Sequence, residues 1–224
     1  MITLRRFRRI ERAVRDAGYG PGIEWTEGIV APVDAEEFAS EAIYVICNSG
    51  MKVTVAEPVY RRCMHALSEG QSATTAYGHP GKGQAIDEIW ARRFELFEEF
   101  VAAADKVEFC AEIPWIGPVT KYHLAKNFGA DVAKPDVHME RLAQRERTTP
   151  AKMCRRLAKQ TGYRAATIDT ILWRACADDI LNSRRYAEQG WRGSFRPILP
   201  AKDEAEFAAE AEAHPLQRVT TGPD

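Results

Sequence analysis

The chain has 224 residues, 45% of them hydrophobic, and a net charge of −1, enough apolar material for a sizeable core in one or two domains. No apolar run approaches the roughly 20 residues of a membrane span. The basic start, MITLRRFRRIERAVRDAG, has neither the apolar core nor the small-residue cleavage site of a secretory signal, so a cytoplasmic protein with no membrane partner is expected.

The five cysteines (Cys47, Cys63, Cys110, Cys154, Cys176) are scattered, and no pair has metal-ligand spacing. Reduced thiols are the expectation. Leu4, Phe7, Ile10 and Val14 form the apolar stripe of a first helix, with Arg5, Arg8, Arg9, Arg12 and Arg15 around it. Gly18-Tyr19-Gly20-Pro21-Gly22 breaks this helix and reads as a linker, making residues 1–33 a basic arm. Asp34 with Glu37 three residues on makes a capping box for a helix carrying Phe38, Ala42, Val45 and Ile46. Cys47-Asn48-Ser49-Gly50-Met51-Lys52 interrupts it, and Val53 to Leu67 reads as the next helix. A polar loop, Ser68 to Gly83, then precedes a long helix with Ile86, Ile89, Trp90, Phe94, Phe97 and Val101 on one side. The loop's Gly78-His79-Pro80-Gly81-Lys82-Gly83 lacks the Gly-Lys-Ser/Thr ending and the preceding strand of a phosphate loop.

Residues 113–141 read as a short helix, a tight hairpin around Gly117, a second helix, and an extended return ending in Pro135-Asp136-Val137-His138. The hairpin unit is placed at 113–128. Helices from Val137 and from Pro150 follow, and a third carries Ile168, Ile171, Leu172, Ala175 and Cys176 at helical spacing. Residues 182–200 look irregular, Asp203 to Ala213 reads as an acidic helix, and the last ten residues as disordered. With no repeat and no strand, the chain is predicted to be all-α. A core over 34–181 is flanked by the arm and by a C-terminal segment, 182–224. Residues 113–164 hold eleven Lys/Arg against four Asp/Glu, a charge of +7 that leaves −8 for the rest. Positive charge gathered in one segment suits a phosphate backbone.

Ile113, Pro114, Ile116, Gly117 and Thr120, followed by Asp136, His138 and Arg141, resemble the helix-hairpin-helix (HhH-GPD) DNA glycosylases, the superfamily of endonuclease III and adenine-mismatch glycosylase. Their hairpin reads Leu/Ile-Pro-Gly-apolar-Gly, and a catalytic aspartate follows inside Asp-x-His-x-x-Arg. The resemblance covers roughly residues 34–180, and Gly81 to Ile86 also resembles a helix start of that family. It implies an all-helical, two-lobed fold with the lesion site between the lobes, acting as a monomer on double-stranded DNA. It implies no metal beyond a monovalent cation at the hairpin. Many relatives hold an iron–sulfur cluster on four closely spaced C-terminal cysteines. Residues 177–224 contain none, so no cluster is expected.

By this resemblance Asp136 is the catalytic carboxylate. It would stay ionised beside an anomeric carbon as positive charge develops there, and orient the attacking water. Its place at a helix start equally suits N-capping, and the two roles are compatible. The expected DNA contacts are Trp115, Gly117, Val119, Thr120, Lys121, His138 and Arg141. The hairpin would act through free N–H groups at the helix start, where Pro118 lacks an N–H at no cost. In relatives the matching histidine and arginine are mainly structural or contact the backbone.

Trp115 stands where relatives have the first hairpin glycine. Tryptophan adopts positive φ with difficulty. Either the turn differs locally, or Trp115 has its own role against DNA or the base pocket; buried packing is the alternative. Bifunctional relatives place a nucleophilic lysine where this chain has Val119, which implies a monofunctional enzyme. Lys121, about 200° further round the helix, reads as a phosphate contact, with a lyase using Lys121 as a rival. Asn48, Ser49 or Met51 falls where relatives carry the wedge that fills the gap left by a flipped base, an ordinary helix–helix turn being the alternative. Tyr44, Trp25 and Trp173 are candidates for stacking on the extruded base, against a plain core role.

The expected function is a monofunctional glycosylase of base excision DNA repair, which flips a base from duplex DNA and hydrolyses its N-glycosidic bond, leaving an abasic site. Alkylated purines, mismatched or oxidised bases, and bulky modified cytosines of phage DNA in an antiviral role all stay open. A catalytically silent helix-hairpin-helix DNA-binding protein is the rival from another class.

Overall fold

The computed structural model describes residues 1–196, and the acidic stretch Asp203 to Ala213 lies outside them. The described chain is helical throughout, as the composition and periodicity predict, and falls into two compact units. Among the described residues, one comprises Met1–Ile29 together with residues 131–196, and the other is Val30–Ala130.

The first unit contains α1 (Leu4–Val14), α2 (Gly20–Gly28), α9 (Val137–Arg145), α10 (Pro150–Thr161), α11 (Ala165–Ala177) and α12 (Ser183–Gln189). Thr3 caps α1, and Phe7, Ile10 and Val14 are fully buried in a core shared with Met139, Leu142, Leu157, Ile168 and Ile171. The N-terminal helix is therefore a core element and not an arm, and Leu4, placed on the stripe by its spacing, is exposed. The expected linker is helical too. A π-turn, Arg15–Tyr19, leads into α2 through Gly18 at φ 94°, a conformation glycine reaches without steric cost. Residues 182–189 are likewise more regular than predicted: Asn182 caps α12 through Arg185 N–H at 2.9 Å, and Tyr186 is fully buried.

Glu11, buried on α1, accepts Tyr163 Oη at 2.7 Å and pairs with Arg8 at 2.7 Å and Arg15 at 3.5 Å. Burial pushes its carboxyl up, but Tyr163 and the two guanidiniums outweigh that and hold it below the ordinary 4.5. A depressed carboxylate contributes stability that is present above its unfolded pKa and lost as pH falls through the folded one. Tyr163→Phe should raise the Glu11 pKa and move the onset of acid unfolding to higher pH, as read by circular dichroism. An unmoved onset would contradict this account of Glu11.

The second unit runs α3 (Ala35–Asn48), α4 (Val53–Ser68), α5 (Pro80–Ala91), α6 (Arg93–Ala102), α7 (Lys106–Glu112) and α8 (Thr120–Asn127). Asp34 caps α3 through Glu36 and Glu37 N–H, while Glu37 reaches one residue further back than a capping box requires, to Val33 N–H at 3.0 Å. Phe38 lies fully buried among Phe97, Phe100, Phe109 and Phe128, with ring centroids 4.8 to 6.2 Å away. The predicted long helix is two. Arg92 (φ −96°, ψ 11°) breaks it, and its guanidinium is held by Glu88 and Glu95. The break shifts the helical phase, so Leu96 and Phe100 are buried while Phe94 and Val101 point to solvent. Helix α5 also begins earlier than expected, within the supposed loop, because Pro80 takes its first position and His79 Nδ1 accepts Lys82 N–H at 3.3 Å.

Candidate DNA-binding hairpin and Asp136 centre

In the second unit, α7 begins at an Asp105 cap and ends where Ile113 turns extended, so the short helix precedes the hairpin motif and does not lie within it. Buried Ile113 and Ile116 anchor the turn, and Ile116 N–H bonds to Ile113 C=O at 3.1 Å. Between them Trp115 has φ 66°. The left-handed residue thus falls where the resembled hairpin motif has its first glycine, and of the two alternatives for Trp115 a locally different turn is not the one seen. A non-glycine residue held there costs about 1–3 kcal/mol and persists only where its surroundings fix it. Trp115 is not a core residue either: it is 49% exposed. Its six-membered ring approaches Gly81 closely, so that a Cβ there would stand 2.7 Å from the indole, and it packs T-shaped against the His79 ring with centroids 5.2 Å apart.

Helical bonding resumes at Gly117, whose carbonyl accepts Lys121 N–H at 2.9 Å. Gly117 itself has no left-handed φ, and a Cβ there would meet nothing within 4 Å. The N–H groups of Val119 and Thr120 find no acceptor among the described residues. Val119 is 40% exposed. The carbonyls of Ile113 and Gly117 each accept one of the loop's own hydrogen bonds. Lys121 Nζ is held by Glu108 at 2.8 Å. That hydrogen bond pushes its pKa up, the direction opposite to a nucleophilic amine.

The turn Asn48–Lys52 between α3 and α4 contains Gly50 at φ 79° and a Met51 N–H to Asn48 C=O bond at 3.2 Å. Asn48, Ser49 and Met51 are half-buried. Lys82 Nζ ties this turn to α5, donating to Ile46 C=O at 2.9 Å and Ser49 C=O at 2.7 Å. The first turn of α5 thus joins the hairpin through Gly81 and the wedge candidates through Lys82. Residue spacing alone did not reveal that juxtaposition. Lys82→Met should cost about 1–3 kcal/mol of stability, since it removes two charge-assisted bonds and leaves the Ser49 carbonyl without its donor, while Ile46 C=O keeps Ser49 N–H; urea unfolding reads it, and a cost near zero would contradict the tie. Tyr44, in contrast, is removed from the stacking candidates: it is 3% exposed, and its ring packs edge-on against Tyr60 at 5.5 Å.

In the first unit the chain reaches Asp136 through Lys134, whose N–H bonds to Asp169 at 3.1 Å and whose carbonyl accepts Asp136 N–H at 2.9 Å. Asp136 is half-buried and caps α9, its Oδ1 accepting His138 N–H at 2.9 Å and Met139 N–H at 3.1 Å. Oδ2 has no hydrogen-bond partner among the described residues. One oxygen is therefore structural and the other is available. His138 Nδ1 is 2.9 Å from Ser183 Oγ and joins α9 to α12. Arg141 is half-buried and makes neither hydrogen bond nor ion pair within the described residues. Behind them Cys176 is pushed up by burial and then by the Asp136 charge. Trp173 is half-buried beside Arg174, whose guanidinium lies 4.9 Å from the ring, and Trp25 is half-buried on α2.

The basic segment divides between the units. Within it Arg156 pairs with Glu146 at 2.8 Å, Arg145 bonds to Glu188 C=O at 3.3 Å, and Arg164 bonds to Thr26 and Ile29 carbonyls. The net partition survives this internal use. The described part of the first unit carries 20 Lys/Arg and 12 Asp/Glu, a charge of +8, whereas Val30–Ala130 sums to −5. The unit that carries Asp136 is the positive one.

Among the described residues no group of three or more His, Cys, Asp or Glu is placed to hold a metal, and no helix is long and apolar enough to cross a membrane. No family model, curated protein or solved structure matches the chain.

Proposed function

We propose that this protein is a monofunctional DNA glycosylase with the helix-hairpin-helix fold. The reading is carried by Asp136, whose Oδ1 fixes the carboxylate rigidly on α9 while Oδ2 accepts no bond, in a unit of charge +8. Such a carboxylate stabilises positive charge growing on a deoxyribose anomeric carbon and orients the water that attacks it. The glycosidic bond breaks to the base, water adds to the sugar, and an abasic site is left. The hairpin supports the same reading: the N–H groups of Val119 and Thr120 suit a phosphate oxygen, and an unsubstituted Gly117 leaves the backbone open to it.

Pairing of Lys121 with Glu108 and the Val119 side chain both favour water over an enzyme amine as nucleophile. Duplexes treated with the protein should therefore break only after alkali, and borohydride should trap no protein–DNA adduct. Trapping that disappears in Lys121→Gln would replace this reading with a glycosylase/lyase. Binding should weaken steeply with salt, since phosphate contacts release counterions.

A further inference from the structure

We infer that Trp115 is a stacking platform for an unpaired DNA base, which makes the hairpin a sensor of disrupted pairing as well as a phosphate anchor. The inference deepens the DNA-binding reading and rests on it. Three observations carry it. The indole occupies a left-handed backbone position, φ 66°, that disfavours any side chain. It remains 49% exposed. Its seat is close-fitting: a Cβ at Gly81 would stand only 2.7 and 2.9 Å from two carbons of the six-membered ring, and the His79 ring packs T-shaped against the indole.

Glycine would fit the turn without strain and would leave no ring on the surface. A strained, rigid and solvent-facing indole is of use to a partner with a flat face of its own. The same loop presents the unpaired N–H groups of Val119 and Thr120, so the flat partner belongs to a chain that also carries phosphates. A paired base has both faces covered by its neighbours; an unpaired base offers one to the indole. In base excision the extruded nucleotide or its widowed partner is such a base.

The test compares two duplexes with identical flanks, one fully paired and one with a single bulged adenine, bound by the parent, Trp115→Gly, Trp115→Phe and Gly81→Ala. The parent should prefer the bulged duplex. Trp115→Gly should lose about 5- to 150-fold of affinity for it, the equivalent of one aromatic–base stack, and with it the preference for the bulged over the paired duplex. Trp115→Phe should retain part of the preference.

Gly81→Ala keeps the indole but displaces it, so it should lose preference and melting temperature together. In the Trp115→Gly background the same change should raise the melting temperature, because alanine is the better helix former once the ring is gone. Equal preference in the parent and Trp115→Gly would overturn the inference and leave DNA binding standing. Failure of the parent to bind either duplex would overturn both.

Discussion

Replacing Asp136 with Asn is expected to slow single-turnover base release by roughly 10²- to 10⁴-fold while leaving folding and duplex affinity near the parent's. The separation follows from the two oxygens. Asn retains a carbonyl oxygen able to accept His138 and Met139 N–H, so the start of α9 stays capped. What it loses is the negative charge and the unbonded Oδ2. Asp136→Ala removes the cap as well and should cost about 1 kcal/mol of stability on top of the catalytic loss. Rates of base release, urea unfolding and duplex titration of the two variants give a two-way readout. An Asn variant releasing base at the parent's rate would make Asp136 a cap and nothing more.

Glu146→Ala is expected to destabilise the protein by about 3–5 kcal/mol, among the largest effects of a single change, because it breaks a buried ion pair and orphans its other partners. Glu146 stands at the C-terminal end of α9 with its side chain 1% accessible. It accepts from Arg156 at 2.8 Å, from Tyr186 Oη at 3.2 Å and from the Ile2 N–H, while Arg156 also bonds to Ile2 C=O at 3.1 Å. One carboxylate thus ties the chain's second residue, α10 and α12 to the helix that begins at Asp136. Burial, and then the Glu146 charge, push the Tyr186 phenol up, so it remains a donor throughout the neutral range. In the alanine variant a buried phenol and a backbone N–H lose their acceptor at once, and Arg156 keeps only the Ile2 carbonyl. Urea unfolding measures the loss; a cost below about 1 kcal/mol would mean the N-terminal segment is held by its apolar contacts alone.

Local rules fixed what lies within one turn of helix. Asp34 and Asp136 both cap the helices they were expected to start, since an Asp followed by an apolar-periodic run needs no tertiary information to bond the next N–H groups. The face of α11 was equally readable, with Ile168, Ile171, Leu172 and Ala175 all fully buried. Phase errors arose where periodicity runs through a break. Ile86 to Val101 fits a single stripe by spacing, but one non-helical residue, Arg92, turns Phe94 and Val101 outward. The N-terminal helix was misplaced for a different reason. Its arginines suggest an exposed arm, whereas Arg6 and Arg9 lie over the Trp191 ring at 5.2 and 5.6 Å and Arg15 bonds to Tyr163 at 3.2 Å, contacts that sequence distance conceals.

The candidate site divides along the same line. Asp136 as the cap of α9 and the tight turn between Ile113 and Gly117 were legible from the local sequence. The approach of Gly81 to Trp115 and of Lys82 to Ser49 was not, because it depends on where α5 packs. Nor was the sign of φ at Trp115, which its seat decides against its own preference. Tyr44 shows the converse failure, an aromatic whose helical position suits a pocket but whose ring is core.

The most direct measurement is mass spectrometry of free bases released from a panel of methylated, deaminated, oxidised and phage-modified DNAs, with Asp136→Asn run in parallel. One base released by the parent, and by the variant at a rate lower by orders of magnitude, is the predicted result. Tight, salt-dependent binding with no base released from any DNA would contradict it and make the protein a binding module.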